Sequence, residues 1–236
     1  YETLEAYARK VETRVDKKTR VETRTIISSP DELAAATLEG FTVTEDMLGN
    51  YSQTTYGRTA PSRSSEETPD GLYHLHFVPK KLTREVSAVL HIEGLNNIRS
   101  ATCRLGGVAE SIFLATGKTS ANTVTQEFTP SNPEFSPGSP FNGTLSCEFE
   151  IFGLNVIDNN NLHLDALLVD GKTEFEGDCT NVKITENDDG TGSVTLILEA
   201  STEKVPDVKP EGGAGSGFDV DVDGWGNEIN TDIPIN

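Results

Sequence analysis

The chain has 236 residues, a formal net charge of −19 and three cysteines. The negative charge argues against a nucleic-acid partner, because phosphate binding depends on clustered lysines and arginines, and no apolar run approaches the roughly 20 residues that span a bilayer. An odd number of cysteines allows at most one internal disulfide. A sandwich of roughly 130 residues buries about two thirds of its unfolded surface, so its core needs neither a disulfide nor a metal.

The first 28 residues hold seven of the nineteen basic residues, between Arg9 and Arg24. A contact with RNA or lipid is one interpretation of this basic run. A solvated loop is the favoured one, because acidic residues are mixed in and aromatic side chains do not interleave with the basic ones. Alternation from Val21 to Ile27 predicts a strand near residues 20–28.

The sharpest local signal is Ser29-Pro30-Asp31-Glu32. Ser29 and Glu32 can form a capping box around the first turn of a helix, and proline is favoured at the first helical position. The motif therefore predicts a short helix over residues 30–39 that ends at Gly40.

A long loop rich in Ser, Thr, Gly and Pro is predicted over residues 49–71. It suggests a domain boundary near Thr68. The predicted first unit, residues 1–68, is a partial N-terminal β region that is too short and irregular for a complete domain. We expect its remaining strands, and any targeting signal, upstream of Tyr1.

Alternation of apolar and polar residues is clearest between Leu72 and Thr119, and a period of two marks half-buried strands. Pro79-Lys80-Lys81 predicts a turn between the first two runs. The predicted strands and their apolar faces are residues 73–78 (Tyr73, Leu75, Phe77), 86–92 (Val86, Ala88, Leu90, Ile92), 98–105 (Ala101, Cys103, Leu105) and 111–115, before a turn at Gly117-Lys118.

Four prolines between Pro130 and Pro140 predict a surface loop and not a strand. Beyond this loop, alternation predicts further strands at residues 145–151, 162–168, 182–184 and 194–198, the last two joined by a hairpin at Asn187–Gly190. About seven short strands at regular spacing indicate an all-β, antiparallel sandwich over residues 69–204. Cys103 and Cys147 fall on apolar faces, which predicts that they are core residues.

The sequence predicts neither an enzyme nor a cofactor site. Gly117-Lys118-Thr119 and Gly171-Lys172-Thr173 resemble the end of a phosphate-binding loop, but that loop needs a glycine where Ile112 and Ala166 stand. Both tripeptides therefore predict turns at strand ends.

No tightly bound metal is predicted either. His74, His76 and His91 could supply three imidazoles to zinc, but exposed strand positions are the favoured interpretation. Asp219, Asp221 and Asp223 match the first half of a calcium loop, which is the weak alternative. Its twelfth position is Asn230 where a bidentate glutamate is needed.

The third unit, residues 205–236, is predicted to be a C-terminal tail strand on a glycine-rich linker, residues 212–217. Its apolar side chains are Phe218, Val220, Val222 and Trp225. Because these side chains cannot stay in water, we expect the tail to dock on a sheet edge of its own chain, among the residues before Thr68. The alternative is that it completes a neighbouring subunit by strand addition.

Six motifs from both halves of the chain occur together in one order. They are residues 30–33, Leu75-His76-Phe77-Val78-Pro79, Ile92-Glu93-Gly94-Leu95, Leu105-Gly106-Gly107-Val108-Ala109, Leu168-Val169-Asp170-Gly171-Lys172 and residues 218–225. With these motifs the chain resembles the fimbrillin-like surface proteins of Bacteroidales bacteria, in particular minor or anchor-like pilus subunits and uncharacterised lipoproteins. The resemblance covers residues 1–10 and 26–236.

The resemblance implies transthyretin-like β-sandwich domains, export to the cell surface at the outer membrane, and a role in pilus (fimbria) assembly or adhesion. It supplies no catalytic residues. Most of the first sandwich and the lipid-bearing cysteine of such proteins are missing here, so we expect no membrane contact from this chain itself, although a longer precursor can carry a lipid anchor.

The function predicted is therefore that of a non-enzymatic cell-surface subunit that binds other pilus or surface proteins through β-edge contacts. The alternative is a carbohydrate-binding module of a surface glycan-uptake system. Such a module needs an exposed aromatic platform, and aromatic residues make up only 7% of the chain. A hydrolase is a third possibility, which would need a deep cleft with paired carboxylates.

Overall fold

The computed structural model describes residues 4–15, 20, 22–43, 75–155, 160–188, 190 and 194–211. Within these ranges the protein is all-β, with one short 3-10 helix at Leu95–Asn97. The strands are β1 (Glu5–Tyr7), β2 (Val11–Val15), β3 (Glu22–Ile26), β4 (Ala34–Ala35), β5 (Lys80–Lys81), β6 (Arg84–Glu93), β7 (Ile98–Ala109), β8 (Ser111–Phe113), β9 (Thr123–Phe128), β10 (Asn132–Phe135), β11 (Asn142–Ile151), β12 (Leu162–Leu168), β13 (Glu174–Asp178), β14 (Thr180–Asp188) and β15 (Val194–Ser201).

Two large sheets dominate the described residues. The five-stranded sheet has the order β10-β11-β6-β15-β14, and the six-stranded sheet has the order β13-β12-β7-β9-β3-β2. Two small pairs, β1 with β8 and β4 with β5, complete the pairing. Neighbouring strands are antiparallel except at β15–β6 and β3–β9, which are parallel.

The main core lies between the two sheets and is formed by the predicted apolar faces. On β6, Val86, Ala88, Leu90 and Ile92 are all buried, as strict alternation requires. The strands predicted at 86–92, 98–105, 145–151 and 162–168 and the hairpin between β14 and β15 are confirmed. Cys103 is buried in this core and Cys147 packs against it half-buried, and both are free thiols.

A smaller second cluster joins the N-terminal strands to the rest of the protein. The predicted strand near residues 20–28 is confirmed as β3, which pairs in parallel with β9. Its last residue, Ile26, is buried. Residues on both sides of Thr68 therefore share one sheet and one cluster. The members of the cluster are Ala8, Ile26, Ala109, Ile112, Val124 and Phe152. The boundaries 1–68, 69–204 and 205–236 stay a prediction.

The segment after β15, residues 202–211, crosses from one sheet to the other, and we call it the closing segment. The Val205 N–H donates to the Glu93 carbonyl oxygen over 2.9 Å, and the Glu211 N–H donates to the Val169 carbonyl oxygen over 3.4 Å. Val205 is fully buried. The closing segment therefore covers one end of the main core.

The predicted helix over residues 30–39 is wrong, because contacts with the next part of the chain replace the helical hydrogen bonds. The Leu82 N–H donates to the Leu33 carbonyl oxygen over 2.7 Å, and the Leu33 N–H donates to Thr83 Oγ1 over 3.3 Å. Ala34 and Ala35 then form β4 against β5. A short helix is marginal by itself in water, so pairing with β5 determines the structure.

The prediction of a strand at residues 73–78 is also wrong for the part of it that the structure describes. Residues 75–79 have no regular structure, and the predicted turn residues Lys80 and Lys81 form β5 instead. Leu75, Phe77 and Val78 are exposed. Alternation alone is therefore not sufficient to form a strand where no neighbouring strand pairs with the segment.

The prediction of a loop without a strand between Pro130 and Pro140 is wrong. β10 includes Pro133 and pairs with β11 at one edge of the five-stranded sheet. An edge strand leaves one side of its backbone without ladder partners, so it can contain proline. Residues 75–201 form eleven strands in the described part, β5 to β15, and not about seven.

Candidate functional site

Each large sheet ends in two edge strands, and these are the first candidate interaction surfaces. Within the described residues, β10, β14, β13 and β2 each pair on one side only. An edge strand presents unpaired backbone N–H and C=O groups that can accept a further strand. The four edges differ in how well they are protected against such pairing.

Two of the edges carry features that discourage strand addition. β10 contains Pro133 and is four residues long. β13 has five residues, of which Glu174, Glu176 and Asp178 are acidic. Proline and charge are the usual means by which natural sheets protect an edge.

The β14 edge is the longest and most regular of the four. Lys183 to Asp188 pair with β15 without interruption, and this stretch contains neither proline nor glycine. Only the first residues are irregular, where the ladder shifts and Asn181 has a positive φ of 52°. β14 therefore has the geometry of a template for a partner strand, and its charged residues limit which strands can pair with it.

A polar groove on the outer face of the six-stranded sheet is the second candidate. Its volume is about 460 Å³, within the range typical of ligand sites. Ser100, Thr102 and Arg104 of β7 line it together with residues of β2 and β13. Because strands from the two opposite edges of the sheet line one groove, this face of the sheet is concave.

Arginine and carboxylate side chains alternate in the groove. Arg104 Nη2 lies 2.8 Å from Asp165 Oδ2, and Arg14 Nη2 lies 3.6 Å from Glu127 Oε1. The Nε atoms of Arg14 and Arg104 are buried and have no hydrogen-bond acceptor among the described residues. The Arg14 side chain is 42% exposed, so its guanidinium can donate to an oxygen-rich ligand in the groove.

A histidine lies beside this groove on β12. In the register of the sheet, His163 is opposite Asp178 of β13, and Asp165 is opposite Glu176. His163 Nδ1 lies 2.8 Å from Asp178 Oδ1, and His163 Nε2 lies 3.4 Å from Asp165 Oδ1. Hydrogen bonding to Asp165 raises the pKa of His163, Asp178 adds to the effect, and partial burial opposes it.

This cluster was not predicted from the sequence. The outward positions of His163 and Asp165 follow from the predicted β12 alternation. Their neighbours Glu176 and Asp178 lie on β13, which alternation did not predict, and only the register of that hairpin brings the four side chains together. No local sequence signal shows that register.

Within the described residues, the side chains that the sequence suggested for metal binding or for docking of the tail do not form a site. His76 and His91 are exposed, and His74 lies outside the described residues. The calcium candidates Asp219, Asp221 and Asp223 and the tail residues Phe218, Val220, Val222 and Trp225 also lie outside them. These predictions stay untested.

A membrane-crossing helix would need a long apolar span, and the described part of the chain contains no helix that meets this requirement.

Comparison with known proteins places the chain in a family. None of the curated proteins matches it. Among solved structures, a candidate adhesin from Bacteroides ovatus aligns with a TM-score of 0.40 and 12% sequence identity, over 71% of this chain and 59% of that chain. The chain thus spans about 59% of that protein's length. Residues 1–129, more than half of the chain, match the family described as Domain of unknown function (DUF5119), and the protein belongs to this family.

Proposed function

We propose that the protein is a non-enzymatic cell-surface protein that acts in adhesion or pilus assembly by pairing a sheet edge with another protein. The observation that carries this proposal is the β14 edge, nine residues long and paired on one side only within the described residues. In strand addition, main-chain hydrogen bonds supply affinity, and alternate side chains supply specificity.

The side chains of β14 fit this role. Val182 and Ile184 are half-buried against the main core, so they hold the edge in place while the backbone beyond them stays accessible. Lys183, Glu186 and Asp188 place both signs of charge along the strand. Opposite charges on a partner strand would favour one register, and like charges would exclude others.

The pilus part of the proposal comes from the resemblance to fimbrillin-like proteins. The same resemblance supports export to the outer membrane and a transthyretin-like topology. Export to the outer membrane and the transthyretin-like topology are therefore parts of the proposal. Its proposed partners are other pilus or surface proteins.

The tail strand is a second contributor to edge pairing. Glu211 lies beside Lys172, with 3.9 Å between their charged atoms, so the chain leaves the described part near the start of β13. Pairing with β13 would bring Asp219, Asp221 and Asp223 close to three acidic residues, and like charges opposite one another destabilise a sheet. The β2 edge, which carries Arg14, is the better site within the same chain, and β14 of a neighbour is the alternative.

Deleting residues 212–236 distinguishes these two sites. A tail that docks on β2 would leave the truncated protein monomeric, less stable and cleaved faster by protease near residues 1–43. A tail donated to a neighbour would leave the monomer as stable as before and abolish assembly. Sedimentation, thermal melting and limited proteolysis measure the three properties.

Two neighbouring proline variants test the β14 edge. The two variants are Thr185→Pro and Glu186→Pro. Successive residues of a strand direct their N–H groups to opposite sides, so one variant removes an N–H that pairs with β15 and the other removes an N–H on the outer edge alone. The outer-edge variant should keep the melting temperature and lose surface assembly or adhesion when it replaces the wild type in the native bacterium. The other variant is its matched control and should lose stability.

If the stable proline variant assembles and adheres like the wild type, β14 is not the contact. If the wild-type protein remains in the cytosol of the native bacterium, the surface role is wrong. Protease treatment of whole cells and fractionation measure the location.

The groove supports one other function, carbohydrate binding. The guanidinium groups of Arg14 and Arg104 line the groove and suit sugar hydroxyl or carboxylate oxygens, and Phe175 is an aromatic residue in its lining. Glycan-array binding that is lost in Arg104→Met, with no defect in pilus assembly, would favour this function over edge pairing. Release of reducing sugar from a bound glycan would instead indicate the hydrolase.

A further inference from the structure

We propose that His163, Asp165 and Glu176 form a binding site for a divalent transition-metal ion, and that zinc is the ion it suits best. One ligand atom from each residue lies within 4.8 Å of the other two. All three side chains are half-buried, on paired strands β12 and β13. This site is independent of the edge pairing proposed for β14, which lies in the other sheet.

The distance between two of the ligand atoms already fits zinc. Zinc binds nitrogen and oxygen ligands at about 2.0–2.2 Å in a tetrahedron, which sets its ligands roughly 3.4 Å apart. His163 Nε2 and Asp165 Oδ1 are 3.4 Å apart. The ligand atom of Glu176 lies within 4.8 Å of the other two, and a flexible side chain on the adjacent strand can close the remaining distance.

Asp178 prepares the imidazole for a metal. An ionised carboxylate only accepts hydrogen bonds, so the 2.8 Å contact places a proton on His163 Nδ1. In the neutral ring, Nε2 then carries the lone pair and is directed toward Asp165. A carboxylate that holds the second ring N–H of a ligating histidine is the usual support of zinc sites, because it fixes both the tautomer and the ring orientation.

Arg104 supports the site from the other side. Its guanidinium lies 2.8 Å from Asp165 Oδ2, so it orients this carboxylate while Oδ1 faces the imidazole. Asp165, Glu176 and Asp178 carry three negative charges, against one positive charge on Arg104. A divalent cation would balance the remaining two charges.

The ligand set argues for a transition metal and against calcium or magnesium. Those hard cations prefer six or more oxygen ligands, whereas an imidazole with two carboxylates suits zinc. Asp165 and Glu176 also line the outer-face groove. A zinc ion held by three protein ligands would therefore lie at the margin of this groove, with its fourth position available to water or to a ligand oxygen.

The test is calorimetric titration of chelator-treated, full-length protein with ZnCl₂. One ion per chain is expected, with an increase in melting temperature, because a ligand that binds the native state stabilises it. CoCl₂ should give the visible absorption of tetrahedral cobalt. His163→Ala and Glu176→Gln should each abolish the zinc binding and the cobalt absorption. Asp178→Asn should weaken zinc binding roughly 10- to 100-fold.

Two control variants show where the metal binds. His91→Ala removes an exposed strand histidine away from the cluster and should bind zinc like the wild type. Asp219→Asn, Asp221→Asn and Asp223→Asn combined in one chain should do the same. Absence of zinc binding by the wild type, unchanged binding by His163→Ala, or loss of binding only in the triple aspartate variant would each overturn the proposal.

Discussion

Phe128 of β9 and Phe149 of β11 stack across the sandwich, with ring centroids 4.4 Å apart and an interplanar angle of 15°. β9 belongs to the six-stranded sheet and β11 to the five-stranded sheet, so this pair joins the two layers directly. Both side chains are buried in the main core.

Truncating one ring should therefore weaken the contact between the sheets. Phe149→Ala is expected to lower the free energy of unfolding by about 3–5 kcal/mol, because it removes buried apolar surface and leaves a cavity. Urea denaturation measures the change. A double-mutant cycle with Phe128→Ala should give a coupling of about 0.5–1.5 kcal/mol, and additive losses would show that the stacking itself contributes nothing.

Gly94 should not tolerate a side chain. It has a φ of +88°, and a Cβ there would lie 2.8 Å from the Val205 carbonyl oxygen in the closing segment. Gly94→Ala is expected to lower the unfolding free energy by about 3 kcal/mol, from left-handed backbone strain and overpacking together. Gly138→Ala is the matched control: its φ is +79° with no atom within 4 Å, so it should lose only about 1–2 kcal/mol. Equal losses in the two variants would mean that the closing segment does not pack against Gly94.

The three thiols should be unreactive in the folded protein. Burial raises the pKa of Cys147 to about 11 and that of Cys179 to about 12, and it raises the pKa of Cys103 well above its ordinary value. The thiolate is the reactive form. N-ethylmaleimide at pH 8 should therefore label the native protein slowly, and it should label all three cysteines when the protein is unfolded in urea. Mass spectrometry counts the labels, and rapid native labelling of any thiol would show that it is not buried.

Asp170 should make folding stability depend on pH in the acidic range. Its carboxylate accepts hydrogen bonds from the Thr173 hydroxyl at 2.5 Å, the Thr173 N–H at 2.8 Å and the Lys172 N–H at 3.0 Å. These bonds, the Thr173 hydroxyl first, lower the pKa of Asp170 below its ordinary value of 3.8. The carboxylate therefore stabilises the fold at pH values above its unfolded pKa, and this contribution is lost as the pH falls through its folded pKa.

Asp170→Asn separates this effect from that of other acidic groups. The variant should be less stable than the wild type at pH 7, and the difference should shrink as the pH falls below 3.8 and through the folded pKa of Asp170. Urea denaturation at several pH values measures it. A difference that stays constant over this range would mean that the charge of Asp170 has no part in the turn.

Strands with strict alternation and a paired strand on each side were predictable from sequence, and β6 and β12 are examples. The wrong helix at residues 30–39 had a strong local signal, but the partners of Leu33 lie about fifty residues further along the chain. β10 was missed because the argument from Pro133 holds for central strands and not for edges. The His163 cluster depends on the register of β12 with β13, which no alternation pattern contains.

The pairing of β3 with β9 has a consequence for the order of folding. The Gln126 side chain donates to the Ile26 carbonyl oxygen across one hundred residues of sequence, and β3 has no place in the six-stranded sheet until β9 has been synthesised. Contacts between such distant segments slow folding, because a large loop must close before they form. β2 and β3 should therefore stay unpaired with the sheet while the segment up to β9 is synthesised, and hydrogen-exchange labelling during refolding should find β3 protected after β6 and β7.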